Sequence, residues 1–286
     1  MITTESFVKE NLPKHKSDAH KGNRGRVLII GGSTGLTGAV CMASDAASKS
    51  GAGLITAAVS ASLNHIFEIK LTEVMTLPLE DENGFFGKSA YKKALEFGMN
   101  SDSVAIGPGA GVNEGTKAIV NEFITNYNKK LILDADALNV LADYTSVLKK
   151  AKCDILITPH AGEMARLTGE SIDEILADRE KCATDFAKEY GINVLLKGKN
   201  TVVTNGKEIF TNPTGNNGMA KGGSGDVLTG ICVSLAAQGA DCFKSGIIGA
   251  YIHGMAGDIA REKYSEYAMT PCNITECLAD VFMKIN

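Results

Sequence analysis

The chain has 286 residues, 44% hydrophobic and 22% charged, with a formal net charge of −4. This composition fits a globular protein with a substantial core, excludes a nucleic-acid binder built on a basic face, and leaves no 18-residue apolar run for a membrane span. The seven cysteines are scattered without a CxxC pair, and the opening Met1-Ile2-Thr3-Thr4-Glu5-Ser6 lacks a secretory core, so a cytoplasmic protein with reduced thiols is expected.

In chain order, residues 1–20 are predicted to form an N-terminal helix or extension. Arg26-Val27-Leu28-Ile29-Ile30 reads as a buried strand, followed by a glycine-rich turn at 31–38 and a small-residue helix at about 39–49. Strands are predicted at 54–59 and 74–78. Four more end in chemically loaded turns. Residues 103–106 run into Gly107-Pro108-Gly109-Ala110-Gly111, and 131–133 into Asp134-Ala135-Asp136. Residues 155–157 run into Thr158-Pro159-His160, and 193–196 into Lys197-Gly198-Lys199. The strands are continuously apolar rather than alternating, as strands covered on both faces of a parallel sheet are. Asn205-Gly206 between two strand-like runs predicts a β-hairpin, so the sheet turns antiparallel near residue 200. The expected fold class is a three-layer α/β/α architecture: a mostly parallel central sheet with an antiparallel hairpin at the C-terminal side. No linker divides the chain, so one domain over 1–286 is expected.

Ligands of open α/β sheets bind at the carboxyl ends of strands, so the loaded turns are expected to line one cleft. The turn from Gly32 has G-x-x-G-x-x-G spacing and no acid ends the next strand, so it departs from the dinucleotide fingerprint but allows close approach to a phosphate or sugar. Asp134 and Asp136 read either as a Mg²⁺ anchor acting through water or as caps of the next helix. In Thr158-Pro159-His160-Ala161-Gly162-Glu163, His160 faces substrate and Glu163 a metal, or the two simply cap a helix. Lys197-Gly198-Lys199-Asn200-Thr201 suits a nucleotide phosphate or is a solvated turn. Gly222-Gly223-Ser224-Gly225-Asp226, ahead of an apolar helix-like run at 227–235, forms an anion site from glycine amides and a helix N-terminus. Asp226 at its mouth reads as a helix cap or as the base of a phosphoryl transfer. His253 reads as a packed helical histidine. No Walker loop, G-x-S-x-G elbow or zinc spacing occurs.

Taken together, these motifs resemble the ribokinase-like superfamily, and within it the NAD(P)H-hydrate repair dehydratases. The resemblance runs from about Lys21 to Phe282. It is carried by Asn23-Arg24-Gly25, the segment 32–39, Gly107-Pro108-Gly109, Asp134-Ala135-Asp136-Ala137-Leu138-Asn139, the 158–163 segment, Lys197-Gly198 with Thr201, and the 222–226 turn. The family commonly has threonine where this chain has Ser224. The resemblance implies a ribokinase-like fold and nucleotide-dependent dehydration of the S-form of hydrated NADH or NADPH. It implies ADP or ATP as co-substrate, with Mg²⁺. It assigns Ala39, Gly109, His160 and Asp226 to the hydrated nucleotide and Lys197, Gly198, Lys199, Asn200, Thr201 and Gly225 to the adenine nucleotide. Gly222, Gly223, Ser224 and Gly225 would form the anion hole, Asp226 the base, and Glu163 a metal contact. It also implies a homotetramer and a separate NAD(P)H-hydrate epimerase as pathway partner. The alternatives are a superfamily kinase of a small vitamin-precursor alcohol and a nucleotide sensor with a dead site.

Overall fold

Strands and helices alternate along a computed structural model that describes residues 1–14 and 20–285. The strands are β1 (Arg26–Ile30), β2 (Leu54–Ser60), β3 (Met75–Leu79), β4 (Asp81–Glu82), β5 (Phe85–Phe86), β6 (Ser103–Ile106), β7 (Lys130–Leu133), β8 (Asp154–Ile157), β9 (Asn193–Leu196), β10 (Val202–Thr204) and β11 (Ile209–Thr211). The α-helices are α1 (Glu5–Asn11), α2 (Thr37–Lys49), α3 (Asn64–Lys70), α4 (Ala90–Gly98), α5 (Glu114–Asn126), α6 (Asp136–Leu141), α7 (Ala161–Thr168), α8 (Ile172–Ala177), α9 (Arg179–Tyr190), α10 (Ser224–Ala237), α11 (Cys242–Ala268, broken at Ser265) and α12 (Pro271–Ile285). Helix α1 falls within the N-terminal segment expected to be helix or extension; residues 15–19 of that segment lie outside the described residues.

Nine strands form one sheet in the order β11-β10-β9-β8-β7-β6-β1-β2-β3, and β4 and β5 make a separate small hairpin. The sheet is parallel from β9 to β3, and β10 runs antiparallel to both β9 and β11, as the Asn-Gly signal predicts. The chain builds outward from β1 through β2 and β3, then returns to place β6 on the other side of β1. That reversal makes a crevice at the carboxyl ends of β1 and β6.

Successive side chains of a strand point to opposite faces. Leu28 and Ile30 therefore join a core under α4, α5, α7 and α9, while Val27 and Ile29 join the opposite core under α2 and α10. A third apolar cluster joins α10 to α11, α12 and α1. Helix α10 is thus covered on both sides, which is why its sequence is apolar all round. Among the described residues no helix is long and apolar enough to cross a membrane.

Candidate active site

Five loaded turns follow β9, β8, β7, β6 and β1, which are consecutive neighbours in the sheet. Turns up to 170 residues apart in sequence are thereby set side by side. The first two at the crevice are zipped together: Gly32 N–H donates to the Pro108 carbonyl (3.0 Å) and Ser33 N–H to the Gly109 carbonyl (2.6 Å). Gly107 has φ +129°, and a Cβ there would run into the Asp134 carbonyl oxygen, so only glycine lets the turns after β6 and β7 close up.

Asp134 is the buried centre of the site. Its Oδ1 accepts from Lys197 Nζ at 2.7 Å and its Oδ2 from Thr229 Oγ1 at 2.7 Å. Thr229 lies four residues beyond Gly225, on the same face of α10, so the first turns of this helix sit directly over the Lys197–Asp134 pair. A Cβ at Gly225 would lie 3.3 Å from Lys197 Nζ. Between the two acids Ala135 holds φ +48°, a left-handed value uncommon for a residue with a side chain. That backbone turns Asp134 under α10 while Asp136 Oδ2 accepts from Gly111 N–H at 2.8 Å. Neither acid caps helix α6, whose cap residue Ala135 makes no side-chain hydrogen bond.

His160 and Glu163 do form a capping box at the start of α7. His160 Nδ1 accepts from the Gly162 and Glu163 amides, and Glu163 Oε2 accepts from His160 N–H at 2.8 Å. Glu163 Oε2 is also 3.7 Å from Lys197 Nζ. Burial alone would pull the Lys197 ammonium down, but Asp134 and then Glu163 outweigh it and hold it above the ordinary lysine value.

Asp226 is the third residue of α10, not its cap, and the cap Gly223 offers no side chain. Burial, then the charge of Asp134, push the Asp226 carboxyl up to about 7, against the pull of Lys197. The glycine turn in front of it is tied back by Lys221, whose Nζ donates to the carbonyls of Tyr267 (2.6 Å) and Met269 (2.5 Å). Ser224 N–H donates to the Lys221 carbonyl at 3.2 Å; among the described residues the amides of Gly222, Gly223 and Gly225 are left as the turn's donors, and the buried Ser224 Oγ has no partner.

A cavity of about 690 Å³ opens beside this turn. It is walled by Lys197, Gly198, Lys199, Asn200 and Thr201 on one side and by Gly222, Gly223, Ser224 and Gly225 on another. His160 also lines it, whereas Ala39 and Gly109, with which the sequence resemblance groups it, do not. Those two meet at the other turn, where a Cβ on Gly109 would lie 3.1 Å from Ala39 Cβ.

Several residues of the site escape sequence reasoning. Arg179, at the start of α9, staples the 197–201 turn by donating to the carbonyls of Leu196 (2.7 Å) and Lys199 (2.6 Å). His253 lines the cavity; burial pushes its imidazole down to about 4, so it is neutral, and among the described residues its Nε2 has no hydrogen-bond partner. The small residues Ala250 and Gly254 beside it on α11 were the available signal, because they let the 212–217 loop press against the helix. Thr214 Oγ1 donates to the Tyr251 carbonyl at 3.0 Å and Asn212 Nδ2 to the Ala250 carbonyl at 3.0 Å.

A magnesium ion has little to hold it here. Among the described residues no group of three potential ligands converges. Both Asp134 oxygens and the Glu163 carboxylate are engaged by protein donors. These residues do not fit a resident ion, and any magnesium would enter bound to nucleotide phosphates.

Comparison with known proteins shows the family of this chain. A family model described as NAD(P)H-hydrate dehydratase matches residues 27–280. The bifunctional NAD(P)H-hydrate repair enzyme Nnr of Moorella thermoacetica is 41% identical over 286 residues, covering 99% of this chain and 54% of that protein. This chain therefore spans about half the length of such bifunctional relatives. The ADP-dependent (S)-NAD(P)H-hydrate dehydratase of Neisseria meningitidis is 35% identical over 251 residues, covering 86% of this chain and 80% of that protein. A crystal structure of the ADP/ATP-dependent NAD(P)H-hydrate dehydratase from Bacillus subtilis, co-crystallized with ATP/Mg²⁺, superposes with a TM-score of 0.85 at 27% identity, covering 100% of this chain and 98% of that one.

Proposed function

This chain belongs to the NAD(P)H-hydrate dehydratase family, and on that premise we propose that it uses ADP or ATP to dehydrate the S-form of hydrated NADH or NADPH. The observation that carries the reading is one carboxylate, Asp226, pushed up to about 7 at the N-terminus of α10 and beside a glycine turn with free amides. A base with that value takes protons efficiently near neutral pH.

The chemistry follows from leaving groups. The hydrate carries a hydroxyl on the ring carbon next to nitrogen, and hydroxide leaves poorly whereas phosphate leaves well. Asp226 takes the hydroxyl proton as that oxygen attacks the terminal phosphoryl group. The bond to the nucleoside phosphate breaks, releasing AMP from ADP or ADP from ATP. Amides of Gly222, Gly223 and Gly225, aligned with the α10 dipole, hold the charge on the transferring group. The ring nitrogen's electron pair then expels phosphate, and loss of a ring proton restores the reduced nicotinamide.

Lys197, held by Asp134, keeps a positive charge at the inner end of the cavity, and the turn from Gly198 to Thr201 supplies further contacts to the adenine nucleotide. Ala39, Gly109 and His160 contact the hydrated nucleotide in this reading. Glu163 acts by orienting His160 and Lys197 in place of binding metal. The nucleotide enters as its magnesium complex. A cytoplasmic homotetramer and a separate NAD(P)H-hydrate epimerase as pathway partner belong to the same proposal, supported by the family resemblance.

The test is a grid of ADP and ATP against NADH hydrate and NADPH hydrate with Mg²⁺, read as recovery of reduced-nicotinamide absorbance and release of phosphate. A stable phosphorylated vitamin-type alcohol, with the hydrates untouched, would replace the dehydratase reading by a kinase. Light scattering measures the oligomer.

A further inference from the structure

Three large apolar side chains stay exposed around one turn of the site: Leu36 (46%), Phe85 (38%) and Val112 (63%). Leu36 and Phe85 press on two of that turn's three glycines, Gly109 and Gly111. A Cβ on Gly109 would meet Leu36 Cβ at 2.8 Å, and one on Gly111 would meet the Phe85 ring at 2.8 Å. Both glycines have positive φ, so the backbone there approaches its neighbours as closely as no other residue could.

Phe85 sits on the small β4–β5 hairpin, and that hairpin is tied down. Thr34 N–H and Oγ1 donate to the carbonyls of Gly84 (3.0 Å) and Asn83 (2.9 Å), and Ser60 Oγ donates to Gly84 at 3.1 Å. Asp81 accepts from Ser62 N–H, Ser62 Oγ and Gly84 N–H at 2.9, 2.6 and 2.8 Å. An aromatic ring is thus fixed against the turn after β6 and left partly in water.

Its neighbours limit what it can face. Gly111 N–H donates to Asp136, and the charge of Asp136 bears on Asp226. The charges of Asp134, Glu163 and Asp226 all bear on the Lys197 ammonium, and that of Asp136 on Asp226. Asp136, on the side of Phe85, repels phosphates, and the amides of the glycine turn draw them instead. The reduced ring of a nicotinamide-nucleotide hydrate is neutral, and of the molecule's neutral parts it is the one whose hydroxyl must reach Asp226. We infer that Phe85, seconded by Leu36, is the wall against which the substrate's reduced ring lies. It is a specificity-determining contact, and it rests on the dehydratase reading above.

The test compares wild type, Phe85→Ala and Phe85→Leu as full chains. It measures hydrate KM at saturating nucleotide, nucleotide KM, NADH affinity by fluorescence, thermal midpoint and mass by light scattering. Phe85→Ala is expected to raise the hydrate KM and weaken NADH binding about tenfold. Nucleotide KM and mass should stay as in wild type, and Phe85→Leu should recover part of the loss. An unchanged hydrate KM in both variants overturns the inference, as does a changed mass with unchanged KM, which would make the patch a contact between copies. A parallel rise in both KM values with a collapsed melting transition in both variants overturns it too, because the hairpin would then be structural. If the wild type itself leaves the hydrate untouched, the dehydratase reading fails first.

Discussion

Replacing Asp226 by asparagine keeps the shape of the site and removes its charge. Burial, then Asp134, raise this carboxyl from 3.8 to about 7. A rise of roughly three pH units corresponds to up to about 4 kcal/mol of unfavourable ionisation in the folded state. The sign follows from proton counting. Between pH 4 and 7 the folded chain keeps a proton that the unfolded chain has released, so stability falls as pH rises. The cost is absent below about pH 4 and complete above about pH 7. Asp226→Asn should therefore be more stable than wild type at pH 8, by up to about 4 kcal/mol in urea denaturation, with the gap closing as the pH approaches 4. Turnover should move the opposite way, falling about 10²–10⁴-fold with the base gone. In wild type, kcat/KM for the hydrate should drop about tenfold per pH unit below about 7, as the base is protonated. Recovery of reduced-nicotinamide absorbance from pH 5.5 to 8.5 measures that limb. A flat profile, or a variant that is less stable than wild type at pH 8, would refute the account of this residue.

Other substitutions probe the parts around it. Lys197→Met leaves buried Asp134 without its 2.7 Å partner and should cost about 3–5 kcal/mol in a urea melt at pH 7. Because Lys197 pulls the Asp226 carboxyl down, its loss should also move the acid limb of the rate profile to higher pH. Gly107→Ala puts a Cβ into the Asp134 carbonyl at φ +129° and should cost about 2 kcal/mol or more; differential scanning calorimetry measures it, with activity falling alongside. Arg179→Ala frees the 197–201 turn and should raise nucleotide KM about tenfold while leaving hydrate KM unchanged, and Arg179→Lys should not rescue it because the forked donor is lost.

Local sequence carried a large part of this protein. Continuous apolar runs ending in Gly, Asp, His and Lys turns identify parallel strands with a functional edge, since burial on both faces dictates that composition. Asn205-Gly206 marks the hairpin: Gly206 takes the positive φ of +82°, and the Asn205 side chain accepts from the Lys207 and Glu208 amides. The same signal at Asn83-Gly84 announces the β4–β5 hairpin, but two-residue strands leave no apolar period beside it to be read. Asp226 could be singled out as a carboxylate beside an anion site. Whether it caps a helix or stands third within one depends on where α10 begins.

The tertiary structure decided the rest, and for one reason: every remaining fact is a contact between residues distant in the chain. Strand order sets β6 beside β1 and so makes a crevice of two turns about 70 residues apart. Lys197 could be matched to a phosphate by its charge, yet it is held by Asp134, 63 residues away. His160 and Glu163 read as cap or as ligand; they form a capping box, and His160 also lines the cavity. The ionisation of Asp226 is not a property of its motif at all; it arises from burial and from Asp134 and Asp136 on another strand's turn. Residue types can announce which chemistry is available, but only packing brings charges close enough, and dry enough, to set their protons.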